Sequence, residues 1–141
     1  MKLTRSTDYA LRILIHLAKS QEPKTMRELV VSLHIPYNNV MKLVQRLSKS
    51  KLLITRQGKG GGITLGIDPK AISLLQVIQV IDGPTELSQC GNDGSHACEL
   101  TELCQLKHVF SSIQSRINGI FDAVSVGEIA FDEINLQVVK G

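Results

Sequence analysis

The chain has 141 residues, of which 43% are hydrophobic and only 4% aromatic, and its formal net charge is +3. This length predicts one domain with an appendage, and the composition predicts a core of aliphatic side chains on helices. No apolar run reaches the roughly 18 residues that a membrane-spanning helix needs. The apolar part of the N-terminal segment carries Asp8, Arg12 and His16. We therefore expect a folded helix rather than a signal peptide, and a cytoplasmic protein with no membrane partner.

The small net charge conceals a division of the chain. Residues 1–62 hold 12 Lys and Arg against 3 acidic residues, a balance of +9, whereas residues 63–141 hold 4 basic and 10 acidic residues, a balance of −6. A half this basic indicates a surface for a polyanion such as DNA. An ordinary basic surface is the alternative that charge alone leaves open.

The basic half has the pattern of a helix-turn-helix unit. A first helix is predicted over residues 4–19, and a capping box from Thr25 to Glu28 opens a short second helix. Pro36 suits the first position of a third helix, whose N-terminal end would enter the major groove of DNA. Asn side chains can pair with adenine there, and Lys or Tyr can reach guanine or phosphate. The candidates are Tyr37, Asn38, Asn39 and Lys42. A solvated helix face is the alternative.

Two short strands are predicted next, at residues 52–56 and 63–65, around the glycine-rich segment 57–62. A hairpin directly after a helix-turn-helix unit is the wing of a winged helix. Its glycines let the backbone approach phosphates, and Arg56, Lys59 and Gly60 are the expected contacts. A nucleotide-binding loop is the competing interpretation, but the segment lacks the P-loop spacing and no helix opens directly after it.

The acidic half is predicted to be helical. A helix over residues 70–82 follows the cap at Asp68, a long helix starts near Thr101, and a capping box at Ser125 opens a short helix that continues to about Asn135. The long helix has apolar residues at alternating spacings of 3 and 4, which form a heptad seam: Leu103, Leu106, Phe110, Ile113, Ile117 and Ile120. Such a seam favours a homodimer over a helix buried within one monomer. A two-fold dimer would match a palindromic DNA operator.

All the cysteines of the chain, Cys90, Cys98 and Cys104, lie within one short segment, with 7 and then 5 residues between them. Thiolates gathered in this way suit an iron–sulfur cluster. Structural zinc sites usually show closer Cys pairs, and a redox disulfide switch and buried inert thiols compete with the cluster as well. Three cysteines leave a fourth ligand to find, and Asp8 is a remote candidate. The local candidates are Asp93, His96, Glu99 and His108.

Several segments together resemble the Rrf family of iron–sulfur winged-helix transcriptional regulators, almost from end to end. They are the opening MKLTRSTDYALRILIHLA, the wing RQGKGGGITLG, the three cysteines and the run CQLKHVF, which is most similar to the family's nitric-oxide-sensing repressors. The resemblance implies a homodimeric repressor with one cluster per subunit. In those repressors an Asp in the opening segment can ligate a 4Fe–4S cluster of the other subunit, and Asp8 matches it. In other members a His three residues after the last Cys completes a 2Fe–2S site, and Lys107 occupies that position here.

The predicted fold is mainly α, with a winged helix-turn-helix DNA-binding domain (residues 1–82), a cysteine loop (residues 83–104) that binds the cluster, and a dimerisation helix with a C-terminal helix (residues 101–141). A 4Fe–4S cluster is favoured and a 2Fe–2S cluster stays open, because the first cysteine gap is longer than in many relatives. No catalytic triad or paired carboxylates are evident, so no enzyme activity is expected. The functional alternative is a regulator of the same family that senses cluster supply or thiol state, or a cluster-free member.

Overall fold

The computed structural model describes residues 2–87 and 104–140. The mainly α expectation is confirmed, since the regular secondary structure of the described residues is helical apart from one small two-stranded sheet. Its helices and strands, in chain order, are α1 (Arg5–Lys19), α2 (Met26–Leu33), α3 (Tyr37–Lys49), β1 (Leu53–Arg56), β2 (Gly62–Leu65), a 3₁₀ turn (Pro69–Ala71), α4 (Leu74–Asp82), α5 (Gln105–Asp122), α6 (Val126–Ala130) and α7 (Leu136–Lys140). No helix in these ranges is both long and apolar enough to span a bilayer.

The core forms where α1 and α3 pack against each other and against α4 and the hairpin. On both α1 and α3 the buried side chains recur at i, i+3, i+4 and i+7, which places them on one helix face. They are Ala10, Ile13, Leu14 and Leu17 on α1, and Val40, Leu43, Val44 and Leu47 on α3. Burial of this apolar stripe holds α3 so that its opposite face points to solvent.

Both predicted capping boxes are present. In the first, the Glu28 amide donates to Thr25 Oγ1 (3.2 Å), and the Thr25 amide donates to Glu28 Oε2 (2.7 Å). The second joins Ser125 and Glu128 in the same way. The hydrogen bond from the Thr25 amide is the main cause that holds the pKa of Glu28 below its usual value. These local bonds fix where α2 and α6 begin.

The predicted helix over residues 70–82 is wrong at its start. The chain instead makes the 3₁₀ turn, straightens at Ile72 (φ −99°, ψ 105°), and begins α4 only after the new cap Ser73. The reason is tertiary, because the Val126 amide donates to the Ile72 carbonyl (2.8 Å) and Ser73 bridges Ser125. Pairing with the segment before α6 thus replaces the helical hydrogen bonds.

Four other predicted helix ends also differ from the structure. The first helix begins at Arg5 rather than at residue 4, since Thr4 is its cap. Pro36 is the cap that precedes α3 rather than its first residue. The helix expected from near Thr101 begins at Gln105, since Cys104 has an extended backbone (φ −81°, ψ 100°). The last predicted helix ends at Ala130 rather than near Asn135, because Asp132 takes a positive φ of 55° and turns the chain.

The predicted hairpin is confirmed and is fastened to the rest of the domain. β1 and β2 pair in antiparallel register from Leu53↔Leu65 to Arg56↔Gly62. Lys24, between α1 and α2, adds an isolated bridge to Ile63 through two backbone hydrogen bonds of 3.1 and 2.8 Å. Gly62 has φ 142°, and a Cβ there would lie 2.9 Å from the Pro23 side chain. The wing therefore needs glycine at this position to sit against the α1–α2 connection.

Candidate functional site

The N-terminal part of α3 presents the predicted DNA-contact residues to solvent. Tyr37, Asn38, Asn39 and Lys42 are all exposed, and Tyr37 keeps 53% of its surface accessible. Asn39 and Lys42 lie one turn apart and line a groove of about 440 Å³ that continues to Ser6 on α1. A row of amides, a phenol and an ammonium group on a solvent-facing helix has the donors and acceptors that read base edges and phosphates.

Arg46 continues the same face of α3 by sequence, but its side chain is engaged elsewhere. Its Nη1 donates a hydrogen bond of 2.9 Å to the carbonyl of Ile81, at the C-terminal end of α4. A helical wheel groups Arg46 with Lys42 and gives no hint of this contact. Arg46 still lines the groove that Asn39 and Lys42 line, but this hydrogen bond ties its guanidinium to α4.

The wing presents the second set of predicted contacts. Arg56 at the end of β1, and Lys59 and Gly60 in the turn, are all exposed. Lys24 is a further cation beside the wing that sequence reasoning missed, since only its bridge to Ile63 brings it there. The wing and the N-terminal part of α3 thus offer cationic and polar groups on the basic half of the chain, as a polyanion-binding surface requires.

The predicted cluster ligands are described only in part. Cys90 and Cys98 lie outside the described residues, as do the local candidates Asp93, His96 and Glu99. Cys104 is the residue that caps α5, and in the described part of the chain it is a free, half-buried thiol. The amides of the first turn of α5 favour a negative ligand at this position. His108 is exposed on the following turn.

Asp8 lies on the first turn of α1, where its Oδ2 is 3.0 Å from Arg12 Nη2 and about half of its side chain is exposed. Within residues 2–87 and 104–140, no three His, Cys, Asp or Glu side chains converge on a point that could hold a metal ion. The described residues alone therefore do not assemble the predicted ligand set. Its chemistry suits an iron–sulfur cluster, because cysteine sulfur and carboxylate oxygen are both ligands that iron accepts.

Helix α5 carries the predicted heptad seam, apart from Leu103, which lies outside the described residues. In the described chain this helix has no fully buried residue. Phe110 and Ile117 are half-buried, and α5 packs against α4. Four further apolar side chains remain exposed on α5, by 56%, 51%, 41% and 36%: Leu106, Val109, Ile113 and Ile120. The described seam is therefore half-buried at Phe110 and Ile117 and exposed at Leu106, Ile113 and Ile120.

Comparison with known proteins agrees with this architecture. The model of the Rrf2 family, described as an iron-dependent transcriptional regulator, matches residues 3–132. The HTH-type transcriptional regulator NsrR of Bacillus licheniformis is 33% identical over 139 residues, which cover 97% of each chain.

Two solved structures share the fold of nearly the whole chain. The structure of CymR, the global cysteine regulator of B. subtilis, aligns with a TM-score of 0.75 at 22% identity and covers 96% of this chain and 99% of that one. IscR of T. potens aligns with a TM-score of 0.70 at 17% identity, over 97% and 91% of the two chains. The predicted winged-helix class is thereby confirmed. Together with the family match, these findings show that the chain belongs to the Rrf2 family of DNA-binding transcriptional regulators, which are not enzymes.

Proposed function

We propose that this protein is a homodimeric, cytoplasmic repressor that binds a palindromic operator and responds to nitric oxide through an iron–sulfur cluster. The observation that carries the DNA-binding role is the exposed row Tyr37, Asn38, Asn39 and Lys42 on α3, in a chain of the Rrf2 family that also has an exposed cationic wing. In this proposal α3 reads base edges in the major groove, while Arg56, Lys59 and Gly60 contact the phosphate backbone or the minor groove.

The homodimer is supported by the exposed part of the seam on α5. Its exposed residues Leu106, Ile113 and Ile120, with Val109 beside them, form an apolar stripe on a helix that also contacts α4. The same stripe on a second subunit could pack against it, because a two-fold interface brings the same surface of both subunits together. The two α3 helices would then meet two half-sites of a palindrome.

The cluster in this proposal is held by Cys90, Cys98 and Cys104, with Asp8 of the partner subunit as fourth ligand, and is of the 4Fe–4S type rather than 2Fe–2S. When bound, it supplies an iron whose carboxylate ligand is weaker than thiolate and therefore exchanges more readily for nitric oxide. Asp8 has a second partner in Arg12, 3.0 Å away on the same helix. Because α1 packs against α3, release of Asp8 from the iron would change how the DNA-binding domain is held.

The test is to purify the protein without oxygen, record its absorbance and Mössbauer spectra, and measure operator binding before and after nitric oxide is added. We expect tight binding that is lost on treatment. The Asp8→Ala variant should keep a cluster but show a blunted response, whereas Glu22→Ala, which removes an exposed carboxylate from the α1–α2 connection, should respond normally. Operator affinity that nitric oxide leaves unchanged would refute the sensing role.

A second candidate function is a regulator that senses thiol state or cluster supply. The observation that favours it is the half-buried Cys104, which has no disulfide partner among residues 2–87 and 104–140; a thiol in this state is a substrate for oxidation. The same spectra separate the two candidates, because a thiol sensor would bind operator without a cluster and would respond to oxidant rather than to nitric oxide.

A further inference from the structure

The C-terminal end of α4 is bonded to the start of α1. The Asp82 carboxylate accepts three hydrogen bonds, from the Thr4 amide (3.1 Å), from Thr4 Oγ1 (2.5 Å) and from Thr7 Oγ1 (2.8 Å). Thr7 is completely buried, whereas Asp82 is exposed. Helix α1 already has a cap of its own, because Thr4 Oγ1 accepts from the Thr7 amide (3.3 Å). The bonds to Asp82 therefore join two helices that are 75 to 78 residues apart in the chain.

The same end of α4 is bonded to the recognition helix. Arg46 of α3 donates to the Ile81 carbonyl, the residue next to Asp82 (2.9 Å). Burial acts to raise the pKa of Asp82, but the hydrogen bonds from Thr4 and Thr7 and the charge of Arg46 outweigh it and hold the pKa below its usual value. Asp82 is thus a carboxylate at neutral pH, with one cationic and two hydroxyl neighbours.

The chain that leaves this junction is the beginning of the cysteine loop. Gly83 has φ 86° and ψ −166°, a conformation that glycine alone adopts freely, and it turns the chain directly after Asp82. Thr85 is then fixed to α5, since its Oγ1 donates to Asn118 Oδ1 (2.6 Å) and accepts from Gln114 Nε2 (3.1 Å). Within four residues, the entry to the loop is attached to α1 by Asp82 and to the dimerisation helix by Thr85.

We propose that the segment 81–85 transmits the state of the cysteine loop to the DNA-binding elements of the same subunit, with Asp82 as the positioning residue. This inference rests on the proposed function, in which the loop holds the cluster. Any displacement of the chain at Gly83 acts directly on Asp82 and Ile81, which are bonded to α1 and α3 respectively. The route is separate from the bond between Asp8 and the partner's cluster, because it needs no contact across the dimer.

The test compares operator affinity in the cluster-loaded and cluster-free forms of each full-length variant. In the unaltered protein the ratio of the two affinities measures how strongly the cluster controls DNA binding. We expect Asp82→Ala to keep the cluster spectrum but to reduce this ratio about tenfold, and Asp82→Asn, which keeps an acceptor oxygen, to restore part of it. Asp68→Ala is the matched control, because Asp68 is also an exposed aspartate but accepts from Lys70 within its own turn (2.8 Å).

A second readout needs no cluster. In the cluster-free protein, Asp82→Ala should speed hydrogen exchange of the amides at the start of α1, and Thr7→Val, which removes only the buried hydroxyl, should do the same and also lower the affinity ratio. If Asp82→Ala does not fold, the same measurements on Thr7→Val replace it. If Asp82 has only a structural role, its variants will lower the melting temperature and leave the ratio unchanged, which would overturn the inference. If the unaltered protein shows a ratio of one, the proposed function fails instead.

Discussion

Replacing Ile113 with Asp should break the dimer that we propose. The exposed seam residues Leu106, Ile113 and Ile120, with Val109 beside them, keep 36–56% of their surface accessible, so a partner helix would bury about half of each side chain. Full burial of such a side chain is worth about 1.5–3 kcal/mol, and half of that is about 1 kcal/mol. Ile113→Asp removes this gain and adds about 1 kcal/mol or more for desolvating a carboxylate. Because both protomers carry the change, the dimer loses about 4 kcal/mol, and its dissociation constant rises by two to three powers of ten.

The assay is sedimentation velocity over a dilution series, combined with binding to a full palindrome and to a single half-site. Ile113→Asp should sediment as a monomer and lose its preference for the palindrome. Val31→Asp is the matched control, since Val31 is an apolar residue on α2 that is 68% exposed and away from the seam. If the dissociation constant of Ile113→Asp equals that of the control, α5 is not the dimer interface and the seam argument is refuted.

Three further predictions concern the wing and the α4 junction. Lys59→Ala should reduce the slope of log affinity against log salt by about 1, as the loss of one phosphate contact requires, and an unchanged slope in anisotropy titrations would remove Lys59 from the interface. Gly62→Ala should cost about 1–3 kcal/mol in urea unfolding, because φ is 142° and the new Cβ meets Pro23 at 2.9 Å; Gly119→Ala, in open space on α5, should instead be neutral or stabilising by up to about 1 kcal/mol. Since folding lowers the pKa of Asp82, its contribution to stability is present above pH ~4 and is lost as the pH falls below that value. The melting temperature of Asp82→Ala should therefore fall less steeply with decreasing pH than that of the unaltered protein. Parallel curves of melting temperature against pH would contradict this.

The parts of the fold that could be predicted are those with local causes. The stripe from Val40 to Leu47 follows from helical periodicity, and the two capping boxes follow from pairs of residues three positions apart. The break at Ile72 could not be predicted in this way, because its cause is a hydrogen bond from Val126, 54 positions along the chain. Helix propensity favours continuation there, and tertiary pairing overrides it.

In the candidate site, too, the features with local causes could be predicted and those with tertiary causes could not. The exposed residues at the start of α3 could be read from the sequence, because the face opposite a buried stripe must meet solvent. The placement of Lys24 beside the wing depends on a backbone bridge to Ile63, and the diversion of Arg46 depends on the end of α4. Neither contact leaves a pattern in the neighbouring sequence. The cluster ligands could be predicted only in part. If they come from two subunits, the spacing of the cysteines is the only local pattern that one chain shows.

The hydrogen bonds that join the end of α4 to α1 and α3 are weak enough to be broken in a conformational change. The three hydrogen bonds to Asp82 and the bond from Arg46 to Ile81 are partly exposed, so each contributes about 0.5–1 kcal/mol net, or about 2–4 kcal/mol together. This range corresponds to about 30- to 1,000-fold in an equilibrium constant, and its lower part overlaps the roughly 5- to 150-fold of typical allosteric coupling. Release is inexpensive on the Asp82 side because an exposed carboxylate returns to water. These bonds are therefore strong enough to couple the residues that precede the cysteine loop to α1 and α3. They are also weak enough to break in a conformational change.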